Sequence, residues 1–281
     1  MLAWLDRVLQ IVDGEEMGKA ANHSTRTVRL AAVADVHYRR TGNDAQKALL
    51  AQVPALADVL AICGDLTDHG LPEEAALLAK DLSALNLPIV AVLGNHDFHS
   101  DQQAAVTRIL EDVGVQVLDG EGCDILGLGF AGVKGFAGGF GTRLLEPWGE
   151  RIVKGFVQEA VDEAMKLESA LARVRSAHKI AVLHYAPIEA TVVGEPCEIL
   201  PFLGSSRLEE PLNRYGVHLA LHGHAHHGSP EGKTSTGIPV YNVSVNLLKA
   251  TFPDRPAVRI FEVPVDAAPA PDLSPPTSKA T

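Results

Sequence analysis

The chain has 281 residues, 46% of them apolar, which is enough for a substantial core in a soluble α/β protein. Its net charge of -11 argues against a general nucleic-acid-binding surface, because phosphate backbones are held mainly by Lys and Arg. Cys63, Cys123 and Cys197 form no CxxC pair and are odd in number, which excludes a disulfide framework and points to a reducing, cytoplasmic setting.

The N-terminus carries Leu2, Leu5, Leu9 and Val12 at helical spacing, interrupted by Asp6, Arg7 and Gln10. It is too short and too charged to span a membrane, and it predicts an amphipathic helix with a linker over 1–27. Short, often β-branched runs then predict buried strands: 28–34, 59–63, 89–93, 125–130, 180–183, 217–221, 240–245 and 258–263. Between the early ones, Pro72 starts a helix whose inward face is Ala75, Leu78, Leu82 and Leu85. Ser100 and Gln103 suggest a capping box for a helix that Gly114 closes. A longer helix is predicted from about 157 to 175, with Val157, Val161, Ala164, Leu171 and Val174 inward. Gly127 to Gly141 is Gly-rich without a phosphate-loop pattern and predicts a flexible connector. Residues 98–178 as a whole, with Lys134 and Arg143, form a candidate cap that sets specificity. The Pro- and Ala-rich stretch 267–281 predicts a disordered tail after a single domain over 28–266.

Chemistry-bearing residues follow the apolar runs. Asp35-Val36-His37 comes after the first, Gly64-Asp65-Leu66-Thr67-Asp68 after the second, and Gly94-Asn95-His96-Asp97 after the third. His184 follows a later run, and His222-Gly223-His224-Ala225-His226 follows another. Ligands of α/β sheets bind beyond the carboxyl ends of the strands, so these groups are placed to converge. Mixed imidazole and oxygen donors suit Mn, Fe, Zn, Co or Ni, whereas an all-oxygen set would suit Mg or Ca. Asp-x-His and His-x-His put two donors on one side of an extended segment. Seven donors exceed one tetrahedral ion, but they divide between two if Asp65 bridges. Taken singly, Asp35 and Asp65 could equally be helix caps.

In order and wording these blocks resemble the calcineurin-like metallophosphoesterase superfamily. The resemblance implies a four-layer α/β/β/α sandwich with two mixed sheets. It implies two divalent transition-metal ions, with Asp35, His37 and His226 on one, Asn95, His184 and His224 on the other, and Asp65 between them. A small phosphorylated substrate, a monoester or a diester, would be cleaved by a metal-bridging hydroxide. His96 would be the general acid and Asp97 would orient it. Asp68 is either a turn residue or a support for a ligand, and His99, His222 and His227 carry no assigned role. The wording of the second block is nearest to bacterial cyclic-nucleotide phosphodiesterases. The alternatives are a pyrophosphatase acting on nucleotide conjugates and a non-catalytic binding scaffold of the same fold.

Overall fold

Residues 25–266 are described by a computed structural model. The expected N-terminal helix and C-terminal tail therefore lie outside the described residues. Strands β1 (Thr25–Val33), β2 (Val59–Cys63), β3 (Ile89–Val92) and β4 (Val115–Val117) run parallel to one another. A second group comprises β5 (Gly122–Ile125), β6 (Leu128–Val133), β7 (His178–Leu183), β8 (Leu219–His222), β9 (Glu231–Lys233) and β10 (Pro239–Asn242). With β11 (Arg259–Asp266), the first group makes a sheet of order β11-β1-β2-β3-β4, and the second makes a sheet of order β5-β6-β7-β8-β10-β9. In the second sheet β6, β7, β8 and β10 run parallel, while the edge strands β5 and β9 are antiparallel to their neighbours.

Strand alternation sorts the apolar residues into layers. In β7, Ile180 and Val182 point into the core shared with Leu30, Leu60 and Val90 of the first sheet. Ala181 and Leu183 point the other way, against Leu167 and Leu171 of helix Arg151–Arg173. On the far side, Ala75, Leu78 and Leu82 of helix Pro72–Ser83 and Val106 and Leu110 of helix Gln103–Glu111 pack on the first sheet. The result is the four-layer helix/sheet/sheet/helix sandwich that the motif order implies. Among the described residues, no helix is long and apolar enough to cross a membrane.

Six expectations need correction. The predicted strand 125–130 is two strands: Leu126 (φ 55°) and Gly127 (φ 89°) form a two-residue hairpin loop, with Ile125 facing Leu128. The "connector" 127–141 is no connector over its first half, because β6 is fully buried between β5 and β7. A Cβ at Gly132 would lie 2.8 Å from Leu118 Cβ and from Val92 Cγ1, so this glycine lets the two sheets approach. The segment 98–178 is likewise no separate cap, since it supplies three strands of the two sheets and the long helix. That helix buries Val157, Ala160, Glu163, Leu167, Ala170 and Leu171, a face rotated from the predicted one. Ser100 makes no capping box; its hydroxyl donates to the Gly70 carbonyl at 2.5 Å. Finally, the run 240–245 ends as a strand at Asn242, and Val245 opens a helix to Thr251.

Gly132→Ala is expected to destabilise the protein by roughly 1–3 kcal/mol through overpacking. Urea unfolding would show this as a lower midpoint, whereas a flexible connector would tolerate the methyl group.

Candidate metal centre

Each predicted donor sits just beyond the carboxyl end of a strand: Asp35 and His37 after β1, Asp65 after β2, Asn95 after β3, His184 after β7, and His224 and His226 after β8. The loops are tied to one another, as Asp35 N–H donates to the Gly64 carbonyl and His37 N–H to the Asp65 carbonyl, both at 3.0 Å. His224 N–H donates to both oxygens of Asp35 at 3.1 Å. The pairs do not share a face by strand alternation, as the spacing suggested. Asp35 (φ 58°), His37 (φ 43°), Asp65 (φ 50°) and His224 (φ 67°) all take left-handed backbone conformations. Such conformations cost roughly 1–3 kcal/mol each and cluster where side chains must be aimed. Gly94 lets the third turn approach the second closely, since a Cβ there would sit 2.2 Å from Asp65 N and Oδ1.

The donors come together in two groups, Asp35 with His37 and His226, and Asp65 with His184 and His224; the ligand atoms of each group lie within 4.8 Å of one another. Asn95 joins the second, its Oδ1 lying 2.8 Å from His184 Nε2. All seven side chains are thus brought to one place, and Asp65 also lies 3.7 Å from His37 Nε2, between the two groups. A third cluster, His37, Asp65 and His96, overlaps both.

The chemistry of this set fits cations. Burial, the largest effect, pushes the His184 pKa well below 6.5, so its ring is neutral. Its Nδ1–H donates to the Cys63 carbonyl at 3.0 Å, leaving Nε2 unprotonated. That lone pair faces Asn95 Oδ1 at 2.8 Å and Asp65 Oδ1 at 3.4 Å, both acceptors. Three ligand atoms converging in this way form an arrangement that a positive ion would satisfy. Burial also pushes His37 down to about 4, against the pull of Asp35, and neither of its buried ring nitrogens has a hydrogen-bond partner. The carboxylates differ. Burial raises Asp65 well above 3.8, and the neighbouring charges of Asp35 and Asp97 raise it further. Asp35 is also pushed up by burial, but His226, His184 and His37 together outweigh this and hold it below its ordinary value. The hydrogen bond to Asp35, opposed by burial, raises His226 above 6.5.

His96 is partly exposed at the mouth, with Nε2 4.0 Å from Asp65 Oδ2. Its orientation comes from Asp68, whose carbonyl accepts from Nδ1–H at 2.8 Å. Asp97 does not orient it. The fully buried Asp97 carboxylate accepts from Leu66 N–H (3.1 Å), Thr67 N–H (2.8 Å), Thr67 hydroxyl (2.6 Å) and Gly94 N–H (2.8 Å). It has no capacity left for a ring and instead clamps the Asp65 loop to the Asn95 loop. Burial raises its pKa and these four donors oppose the rise. Asp68 is more than a turn residue: its Oδ1 lies 3.4 Å from His37 Nδ1 and its Oδ2 3.0 Å from Arg39 Nε, which ties that arginine down. His222 is buried beneath the site, bonded through Nε2 to the Thr191 hydroxyl at 2.8 Å; His99 and His227 are exposed. Two supporting residues escaped sequence reasoning. Asn242 Nδ2 holds the Ala225 carbonyl at 2.7 Å between the two late histidines, and Asn246 Nδ2 lies 3.3 Å from His226 Nδ1. No motif marks either, because each reaches the site only through folding.

A family model described as calcineurin-like phosphoesterase matches residues 28–228. No curated protein matches the sequence. Among solved structures, the chain is similar to phosphopantetheinyl hydrolase from Mycobacterium tuberculosis, at 15% identity over 83% of this chain and 95% of that one, with a TM-score of 0.55. It is also similar to a putative 5'-nucleotidase from Staphylococcus aureus (14% identity, 77% of this chain and 48% of that one, TM-score 0.49). A further similar structure is GAP50, the anchor in the inner membrane complex of Plasmodium (14% identity, 78% and 72% covered, TM-score 0.45).

Two outcomes are expected. Because His226 must lose its proton to ligate, Mn²⁺ affinity should fall as pH drops through a value above 6.5, with proton release on binding. Calorimetry at several pH values in two buffers reads both; pH-independent binding from 8 to 6 would contradict a role for His226. Asp97→Asn should weaken Mn²⁺ binding by roughly 10–100-fold through the slackened Asp65 loop.

Proposed function

The chain belongs to the calcineurin-like phosphoesterase family, and from that premise we propose that it is a phosphoester hydrolase using two divalent transition-metal ions. Asp35, His37 and His226 would hold one ion, Asn95, His184 and His224 the other, and Asp65 both. The observation that carries this reading is the set of oxygen and imidazole ligand atoms facing one another around Asp65. Divalent ions bound there would offset phosphoryl charge and make a water nucleophilic near neutral pH. Manganese, iron, zinc, cobalt and nickel all suit the donors.

The chain's own residues then position the substrate and move the proton. With Nδ1–H committed to the Asp68 carbonyl, only His96 Nε2 is available to the substrate. A protonated His96 presents Nε2–H toward the open side, where it gives its proton to the departing alkoxide. The ring cannot swing away easily: it packs against His37 at 4.5 Å and His99 at 4.3 Å between centroids. Asp97 contributes indirectly, by fixing the spacing between Asp65 and the loop that carries His96. A non-catalytic scaffold would have no use for this complete set of donors with a directed His96 beside it. The substrate class we favour is a small phosphomonoester or phosphodiester, in keeping with the acidic surface and a cytoplasmic setting.

The test is Mn²⁺-loaded protein against a panel of monoesters, linear and cyclic diesters and pyrophosphates. His96→Asn should lower kcat by roughly 10²–10⁴-fold on alkyl esters, whose leaving groups need a proton, and much less on nitrophenyl esters. Its metal content should be unchanged. No turnover on any panel member by metal-loaded wild type would end the proposal.

A further inference from the structure

Beside the metal centre lies a feature that the hydrolytic reading does not use. Although aromatic residues make up only 5% of the chain, several line one wall of the site. Tyr185 packs on the His224 ring (4.5 Å between centroids) and lies 5.9 Å from Phe136. Phe136 lies 4.9 Å from Phe156, and Phe156 lies 6.3 Å from Phe202. The wall is far from covered, with Phe202 56% and Phe98 36% exposed. Exposed apolar groups that cluster, unlike single ones, mark contact surfaces.

One cation is set into this wall. Lys134 Nζ lies 5.5 Å from the Phe98 ring, 4.9 Å from Phe136 and 5.4 Å from Tyr185. Cation–π contact holds an ammonium in place without neutralising it. Its hydrogen-bond acceptor is the Gly135 carbonyl at 2.8 Å, and among the described residues it forms no ion pair, so two N–H groups remain for a ligand. Lys134 and Phe98 border a cavity of about 750 Å³ that Thr107 and Arg108 also line. Of the three acids that line it, Asp119 pairs with Lys166 at 3.1 Å and Glu121 accepts from Asp119 N–H at 2.9 Å, while Glu111 lies on the helix that carries Thr107 and Arg108. The backbone couples Lys134 to the centre, since its carbonyl accepts from both His184 N–H and Tyr185 N–H at 3.0 Å.

We propose that Lys134 and the ring wall form a leaving-group subsite for a phosphoester carrying a second anionic group and an apolar or flat body. Lys134 binds the second anion, and the exposed rings of Phe98 and Phe202 take the body. This rests on the reading of the seven-donor centre as the place of the scissile phosphoryl group. It goes beyond that reading by excluding simple alkyl monophosphates as the preferred substrates.

Calorimetry on Mn²⁺-loaded protein tests it without turnover, using methylphosphonate, methylenediphosphonate and benzylphosphonate. Wild type should prefer methylenediphosphonate to methylphosphonate, and Lys134→Met should shrink that preference by roughly tenfold, the value of one charge-assisted hydrogen bond. Lys134→Arg, which keeps the charge, should retain most of it. Phe202→Ser should reduce the benzylphosphonate-to-methylphosphonate preference by roughly threefold or more. An unchanged diphosphonate preference in Lys134→Met, with metal content intact, overturns the subsite. Failure of the hydrolase reading is distinguishable from this result. Wild type would then turn over no ester at all, whatever the binding preferences are.

Discussion

The structure depends on one electrostatic problem: carboxylates, neutral imidazoles and an amide oxygen are buried together with their lone pairs converging. Without a cation, the desolvation of Asp35 and Asp65 and the mutual repulsion of acceptors oppose folding of this region. The two carboxylates respond in opposite ways. Asp35 lies against three histidines and stays below its ordinary pKa, whereas Asp65 is surrounded by other acids and is pushed up. His226 is in turn held above its ordinary value by its hydrogen bond to Asp35. Bound metal ions would replace the proton of that bond and satisfy Asp65 as well.

The sandwich provides the rigidity that holds such a site together. Parallel strands deliver their carboxyl ends to one edge, and main-chain hydrogen bonds fasten the β1 turn to the β2 turn and the β7 turn to the β8 turn. Four strained left-handed residues persist because the loops are over-determined in this way. Asp97 is part of the fastening, with a carboxylate that replaces missing secondary-structure partners for three backbone amides. The sheets meet closely where a glycine stands in β6, which lets the second sheet bring His184 against the loops of the first.

The motifs were readable because metal chemistry demands particular side chains at particular strand ends. Runs 59–63 and 180–183 fall within β2 and β7, and all seven proposed donors meet. The reasoning about local geometry fared less well. The donor pairs were expected to share a face by strand alternation, yet they sit in turns where that rule does not apply. Asp97 follows His96 directly, which suggested a partnership, but its side chain turns inward to the Asp65 loop and to Gly94 of its own loop. Gly129 and Gly132 of β6 read as freedom and instead serve close packing, because a missing side chain looks the same in sequence whichever use is made of it.

By itself, the sequence determined the fold class, the family and the identity of the proposed metal donors, since apolar periodicity and donor chemistry are local and strongly typed. Only the tertiary structure decided which backbone atoms orient His184 and His96, that Asp97 clamps loops, and that Lys134 lies among rings from three separate segments. The physical reason is range. Most of these contacts join residues far apart in the chain, and their partners are backbone groups or common rings that no spacing pattern marks.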